Sequence, residues 1–349
     1  MDPQPPAAAT GLSSTARLVV SSDPSGCAAA IVTTLRNAGA VLDSFVAYHR
    51  AIGFAQLFLF FDDPTDPDLS RARDMKDVTA ISHDAVLREA WRRLGTYRQY
   101  GAFVDSEVMA RQVLNVEYAM GLARERGYEW LLSIDADELF FSPAELASHH
   151  FQSLAASTVD TVQYLNYEAV PPREGIHDFF REVELFKPPL RLLRADLAPA
   201  LRRAEQSVPQ LRPYFHFYAN GKSAVRLRDA KLEPFGVHQF RHATGPTRAA
   251  SSAGQFVLHY ACCGFEAFWT KYATLGRFPD KWFGQYDIAP AIGTFHLEAR
   301  DVVCDGDRER ALAFYRERIA IADENLVEQL TRRGLLARLT DPKRILAST

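Results

Sequence analysis

Cysteine is scarce in this chain, 4 in 349 residues. Cys27, Cys262, Cys263 and Cys304 are spaced too irregularly for a disulfide framework, which fits a reducing compartment. No run of 18 or more apolar residues occurs, so no transmembrane helix is expected. There is no excess of positive charge: 40 Lys+Arg against 43 Asp+Glu leave a net charge of −3, which argues against nucleic acid as a partner. Neither Gly-x-Gly-x-x-Gly nor a Walker A pattern follows the first predicted strand. A bound diphosphate would therefore be neutralised by a metal and by a cation such as Lys222 or Arg226. No nucleophile-elbow serine is present, and no internal repeat is visible. Met1 to Thr10 is rich in Pro and Ala and lacks the basic start and apolar core of a signal peptide. Residues 1–25 read as a disordered leader, and the absence of a signal or anchor points to a cytoplasmic protein.

What is present is ordinary globular material, 47% hydrophobic and 24% charged, enough for one large core or two smaller ones. Ala28 to Leu35 is apolar and β-branched and reads as the first core strand, with a turn at Arg36 to Gly39. Leu42, Phe45, Val46 and Ile52 then fall at helical spacing, and Gly53 is a natural stop. Gln56 to Phe61 reads as a second strand, ended by the Asp62 to Pro67 turn. Strand, helix and strand in this span make a right-handed βαβ unit with a parallel pair. A short helix over Asp68 to Lys76, a strand over Val78 to Ser82 and an amphipathic helix over Ser106 to Arg124 follow. His83 to Gly101 reads as a polar excursion between them.

The segment from Glu129 to Phe141 organises the rest. Trp130 to Ile134 has the continuous apolar character of a strand covered on both faces. Asp135, Asp137 and Glu138 come immediately after it, at the carboxyl end where open α/β sheets bind ligands. Alternate residues of an extended chain point to opposite faces, so a bend after Ile134 is required for Asp135 and Asp137 to approach one ion. Such a pair suits Mn²⁺ or Mg²⁺ completed by phosphate oxygens. The turn after Leu35 (Thr34, Arg36, Asn37) and Asp62 and Asp63 end neighbouring strands, so they are expected to line the same edge. There Asp62 or Asp63 would accept from a base or ribose, and Lys222 would meet the diphosphate.

After Pro143 the pattern changes to short strand-like pieces at Thr158 to Tyr167, Gly221 to Leu227, Glu233 to His238 and Gln255 to Tyr260. Residues 187–213 read as an irregular insertion, and helices follow from Phe265 and over Arg308 to Arg338. His238, with His259 as the alternative, is the candidate third ligand to the ion. A zinc site is not expected from adjacent Cys262 and Cys263 with scattered His. Asp178, Glu182 and Glu184 are candidates for one general base, and Tyr164, Tyr167, Phe179 and Phe180 for aromatics roofing a cleft. Trp269 and Tyr272 read as core.

These motifs carry a resemblance. Thr34 to Phe54 resembles the first helix region of family 2-like and family 92 glycosyltransferases, Phe60 to Asp66 their acidic turn, and Trp130 to Phe140 their Trp-x-x-x-x-Asp-x-Asp-Glu-Phe segment. Gly221 to Arg226, Gly236 to His238 and His259-Tyr260 are similar to later blocks. The likeness runs over about residues 28 to 280, departing at Ala38-Gly39, where the family usually has Glu. It implies a GT-A fold: a Rossmann-like, mostly parallel sheet with helices on both faces, followed here by C-terminal helices. It implies division into a nucleotide-sugar half over 26–142, an acceptor half over 143–300 and a helical segment over 301–349. The implied activity is metal-dependent, inverting transfer of a hexose from a UDP-sugar to a glycan or other hydroxyl. Mn²⁺ or Mg²⁺ would bridge Asp137 and the diphosphate, with Asp135 as a further ligand and Asp135 and Ala136 lining the nucleotide-sugar site. Many relatives are Golgi enzymes, so a Golgi-lumen protein shortened at its N-terminus is the alternative location. A nucleotidyltransferase and a catalytically silent carbohydrate-binding protein of the same fold are the rival functions.

Overall fold

Alternating apolar residues that can be covered on both faces build the central sheet, as a computed structural model shows for residues 28–192, 199, 206, 220–283, 286–287 and 290–349. The expected leader and most of the expected insertion at 187–213 lie outside the described residues. The first part of the chain runs β1 (Ala29–Leu35), α1 (Val41–Ala51), β2 (Gln56–Phe61), α2 (Asp68–Arg73) and β3 (Val78–Ser82). It continues with α3 (Ala85–Trp91), α4 (Tyr97–Tyr100), α5 (Val108–Glu125) and β4 (Trp130–Ser133). The polar excursion expected over 83–101 is thus largely helical. Asp84 nucleates α3 by accepting from the Val86 and Leu87 amides, the usual N-cap arrangement.

Strands β3, β2, β1 and β4 lie side by side and parallel. Their side chains alternate between two layers. Ile31, Leu57, Leu59 and Leu132 pack with Leu42 and Phe45 of α1 on one face, while Val32, Phe58, Phe60 and Leu131 pack with Val113 and Met120 of α5 on the other. Ala110, Ala119 and Ala123 let α5 approach closely, and all are fully buried. Helix α1 ends where Gly53 takes φ +99° and the Phe54 amide reaches back to His49 O, a left-handed stop.

The second part contributes β5 (Glu138–Phe141), α6 (Ala147–Ala155), β6 (Thr161–Tyr164), β7 (Asn166–Ala169), α7 (Phe179–Glu182) and β8 (Leu185–Lys187). Then come β9 (Lys222–Arg226), the β10–β11 hairpin (Leu232–Phe235, Gln239–His242), β12 (Ala249–Ser251) and β13 (Phe256–His259). Antiparallel β9 inserts between β4 and β6, and β12 closes the edge, giving a seven-stranded, largely parallel sheet in the order β12-β6-β9-β4-β1-β2-β3. Strands β5, β13, β7 and β8, with Ala337–Arg338, form a second, five-stranded sheet. Helices Phe265–Leu275, Pro290–Cys304 and Arg308–Arg318 pack together, and Glu324–Arg332 and Asp341–Ala347 follow. The fold is therefore mixed α/β, with helices on both faces of the main sheet and a helical C-terminal portion. No helix among the described residues is long and apolar enough to cross a membrane.

Candidate functional site

The order β3-β2-β1-β4 means that the chain leaves β1 in one direction along the sheet and returns on its other side. The crevice outside the carboxyl ends of β1 and β4 is a topological switch point, the place where open α/β sheets take ligands. One helix ties these strand ends together. From α5, Arg111 grips Asp62 at the end of β2 through Nε (2.5 Å) and Nη2 (2.7 Å). Gln112 donates to Asp135 Oδ1 after β4 (2.9 Å), and Asn115 to Thr34 Oγ1 near the end of β1 (2.9 Å). The neighbouring loops are cross-tied too. Arg36 pairs with Asp63 (3.0 Å), the Asn37 amide donates to Asp66, and the Gly39 amide to Asp68. Thr65 fixes Asp63 further through its amide and hydroxyl. Asn37 stands at φ +53°, a left-handed conformation that Asn tolerates better than most residues.

The bend required after Ile134 is where the chain changes sheets. Strand β4 belongs to the first sheet and β5 to the second, and Asp135 to Asp137 span the gap. The Glu138 amide donates to Asp135 O (3.1 Å) while the Asp135 amide donates to Glu138 Oε2 (2.7 Å), so the acidic turn locks itself. Ala136 is partly buried against the core beneath it. Lys222, at the start of β9, lies beside the end of β4 because Ser223 is registered with Ser133. Its ammonium reaches Asp135 Oδ2 at 2.6 Å and Glu138 Oε2 at 3.7 Å. Burial alone would raise the Asp135 carboxyl, but Lys222 outweighs it and holds it low. Burial dominates for Glu138 and pushes it up to about 7.

The second sheet brings a row of charges to this turn. In register across four strands stand Glu138, His259, Glu168 and Lys187. Signs alternate along the row, the arrangement that stabilises cross-strand neighbours. His259 donates from Nδ1 to Glu168 Oε1 (2.8 Å), and its Nε2 stands 3.8 Å from Asp137 Oδ1, too far for a hydrogen bond. Burial would lower His259, yet Glu168 and Asp137 raise it to about 9. Asn166 also donates to Glu168, and it takes the Gly221 amide on Oδ1 (3.0 Å), linking the row to the start of β9. Lys271, from helix Phe265–Leu275, donates to Asp137 Oδ2 (2.9 Å) and to Ala261 O (3.2 Å). Against the effect of burial, Lys271 and His259 hold Asp137 far below the usual carboxylate range.

The structure thus gathers Thr34, Asp62, Asp135, Asp137 and Lys222 along one edge, with Arg36, Asn37 and Asp63 on the adjoining loops. Of the two candidate histidines, His259 is the one set against Asp137. His238 is bound through Nδ1 to Gly221 O (2.9 Å) and is lowered to about 4 by burial and by the charge of Lys222. Asp178, Glu182 and Glu184 have local partners. Asp178 caps α7 through the Phe180 amide and takes Ser44 Oγ, and Glu182 takes the His177 and Asp178 amides and Arg173. Glu184 pairs with Arg338. The expected roofing role of Tyr164, Phe179 and Phe180 does not hold: all three are buried, and the two phenylalanines pack on Tyr260 inside the core. Tyr167 is partly buried on Phe256. Tyr272 lies in the core as expected, and Trp269 packs partly buried against it. Glu168, Gln112 and Lys271 were not expected from sequence. Arg111 had one signal, its place on a polar stripe of an otherwise apolar helix.

Among the described residues no three His, Cys, Asp or Glu side chains are gathered closely enough to hold a metal alone. Two donors are nevertheless suitably set. Adjacent ligands of an octahedral ion, each about 2.1 Å from it, stand about 3 Å from one another, and Asp137 Oδ1 and His259 Nε2, 3.8 Å apart, would have to close by less than about 1 Å to share one. The second ring nitrogen of His259 is anchored by a carboxylate, as metal-binding histidines commonly are. The residues present therefore fit an ion completed by substrate oxygens and water, provided that His259 releases its Nε2 proton as the ion binds.

No protein-family model matches the chain. Over 311 residues it is 28% identical to each of two Arabidopsis thaliana proteins named glycosyltransferase-like, an alignment covering 85% of this chain. It covers 67% of one relative and 59% of the other, so both extend well beyond the matched region. Among solved structures, the mannosyltransferase Ktr4p from S. cerevisiae aligns at 13% identity over 61% of this chain and 59% of its own, with a TM-score of 0.30. Core-mannan synthase A from Aspergillus fumigatus, in a Mn/GDP form, aligns at 11% identity over 84% of this chain and 86% of its own, with a TM-score of 0.32. At such scores neither fold nor chemistry transfers.

Proposed function

We propose that this protein is a metal-dependent glycosyltransferase that moves a hexose from a nucleoside-diphosphate sugar to a hydroxyl acceptor such as a glycan, with inversion. The observation that carries the reading is the pairing of Asp137 Oδ1 with an anchored His259 Nε2, 3.8 Å apart, at the carboxyl end of β4 beside the switch point. The similarity to proteins named glycosyltransferase-like supports it. The donor's nucleoside would lie along the β1 and β2 ends, where Thr34, Arg36, Asn37, Asp62 and Asp63 are held by one another and by α5. Asp62 is gripped by Arg111, so in this reading the Arg111–Asp62 unit walls the pocket, and Asp63 and the loop backbone offer the polar contacts.

Asp137 and His259 would hold Mn²⁺ or Mg²⁺, and Asp135 would support it from its place between Gln112 and Lys222. Such an ion offsets the charge that develops on a leaving diphosphate. Lys222 adds a fixed positive charge beside it. Direct displacement at the anomeric carbon requires a carboxylate to take the acceptor proton, and we assign that step to Asp178, Glu182 or Glu184. Asp178 is linked to the centre through its neighbour: Phe179 stacks on Tyr260, whose amide donates to Asp137 O (2.8 Å).

The test is incubation of the protein with a panel of UDP- and GDP-sugars and Mn²⁺, with nucleotide release as the readout. At least one donor is expected to be consumed, and both chelation and Asp137→Ala should stop it. If no donor is consumed or bound, the transferase reading is wrong.

A further inference from the structure

We propose that Lys271 and the divalent ion compete for Asp137, so that metal enters this site only together with the donor's diphosphate. The ammonium of Lys271 sits 2.9 Å from Asp137 Oδ2, on the carboxylate that pairs with His259. A divalent ion on the same carboxylate would lie within a few Å of that ammonium in a partly desolvated pocket, where like charges repel strongly. The surroundings add to the conflict. Asp135 and Asp137 are already answered by Lys222 and Lys271. A cation arriving alone would add positive charge to a balanced cluster, whereas one arriving with a diphosphate would not.

The two lysines differ in exposure. Lys222 is pinned between Asp135 and Glu138 with 4% of its side chain exposed, whereas Lys271 keeps 27% exposed. Lys271 is also the one that covers Asp137. A diphosphate would give its ammonium a second anion to bind, and its departure would uncover Asp137 for the metal. Lys271 therefore acts as a positioning residue that stands in for the ion and then passes to the phosphates. The inference rests on the donor reading above only for the identity of that second anion.

The experiment uses the full chain and titrates Mn²⁺ alone, UDP or GDP alone, and Mn²⁺ with each nucleotide present, followed by calorimetry and by the electron paramagnetic resonance of free Mn²⁺. For the parental protein, Mn²⁺ alone should bind weakly and tighten about tenfold or more when nucleotide is present, with nucleotide tightening by the same factor in return, as linkage demands. Lys271→Gln should bind Mn²⁺ alone about tenfold more tightly and lose most of that coupling. Lys271→Arg, which keeps the charge, should stay close to the parental behaviour and controls for misfolding. Equal affinity of the parental protein and Lys271→Gln for Mn²⁺ alone overturns the competition, whatever the nucleotides do. A gain in Lys271→Gln with no nucleotide effect in either protein upholds the competition and removes the donor reading instead.

Discussion

Single side chains at the carboxylate turn have separable jobs, and substitution should separate them. Glu168 touches no proposed ligand oxygen; it holds Nδ1 of His259 and thereby the direction of Nε2. Loss of such an outer partner typically weakens metal affinity 10–100-fold. Glu168→Gln is therefore expected to weaken Mn²⁺ binding in the presence of nucleotide by about that factor, while nucleotide binding without metal is unchanged. Unchanged Mn²⁺ affinity in that variant would remove Glu168 from the site. On the acceptor side, single amides of Asp178, Glu182 and Glu184 should leave donor binding intact. The one that serves as base should lose transfer by about 10² to 10⁴. If all three transfer at the parental rate, their roles are limited to the cap on α7, the loop before it and the Arg338 pair.

At the level of elements, the site depends on how β9 begins. Gly221 has φ +64°, and a Cβ there would lie well inside contact distance of Tyr164 O, on the neighbouring strand. Its amide holds Asn166 and its carbonyl holds His238, and the next residue is Lys222. Backbone atoms of paired strands cannot give way cheaply, so Gly221→Ala should cost about 3 kcal/mol or more, read as a lower urea midpoint. Gly254→Ala, at a turn with open space around it, should stay within about 0.5 kcal/mol. Local elements such as β2, β3 and β4 were legible in the sequence because each is a short apolar run bounded by turn residues, and α1 because its apolar spacing ends at Gly53. The charge row Glu138, His259, Glu168 and Lys187 was not legible, since it exists only through register between strands far apart in the chain. Phe179 and Phe180, expected to roof a cleft, misled for a related reason: α7 turns both rings into the core, a placement that depends on the packing of distant elements. Lys271 lay hidden on a helix whose aromatic stripe drew the reading towards packing alone.

For the whole molecule, stability should peak near neutral pH, because buried groups with shifted protonation oppose one another on the two sides. His49 is lowered by burial to about 3; its Nε2 accepts the Phe140 amide (3.1 Å) and its Nδ1 donates to Phe45 O (2.9 Å), so the neutral ring is fixed from both ends. Burial also lowers His150 and His238 to about 4 and His296 to about 3. Below pH 6.5 the unfolded chain protonates these histidines while the native protein does not, so stability falls with pH, by up to about 1.4 kcal/mol per pH unit for each. Glu138, raised to about 7, and Glu107, also raised by burial, act in the opposite sense and offset part of that slope. On the alkaline side His259, raised to about 9, contributes stability that is complete below pH 6.5 and is lost as pH rises towards 9. Lys187, lowered to about 8, begins to oppose that loss above pH 8, so the alkaline limb should be clearest between pH 6.5 and 8. Chemical unfolding measured from pH 4.5 to 8 should therefore show a maximum between about pH 6.5 and 7. His150→Phe tests the assignment, since it removes one neutral buried histidine while Tyr164, its hydroxyl partner at 2.9 Å, stays in place. The variant is expected to be less stable at neutral pH yet to show an acid limb shallower by up to about 1.4 kcal/mol per pH unit, with its alkaline limb unchanged. An acid limb of parental slope in that variant would mean that the loss of stability in acid arises elsewhere in the molecule.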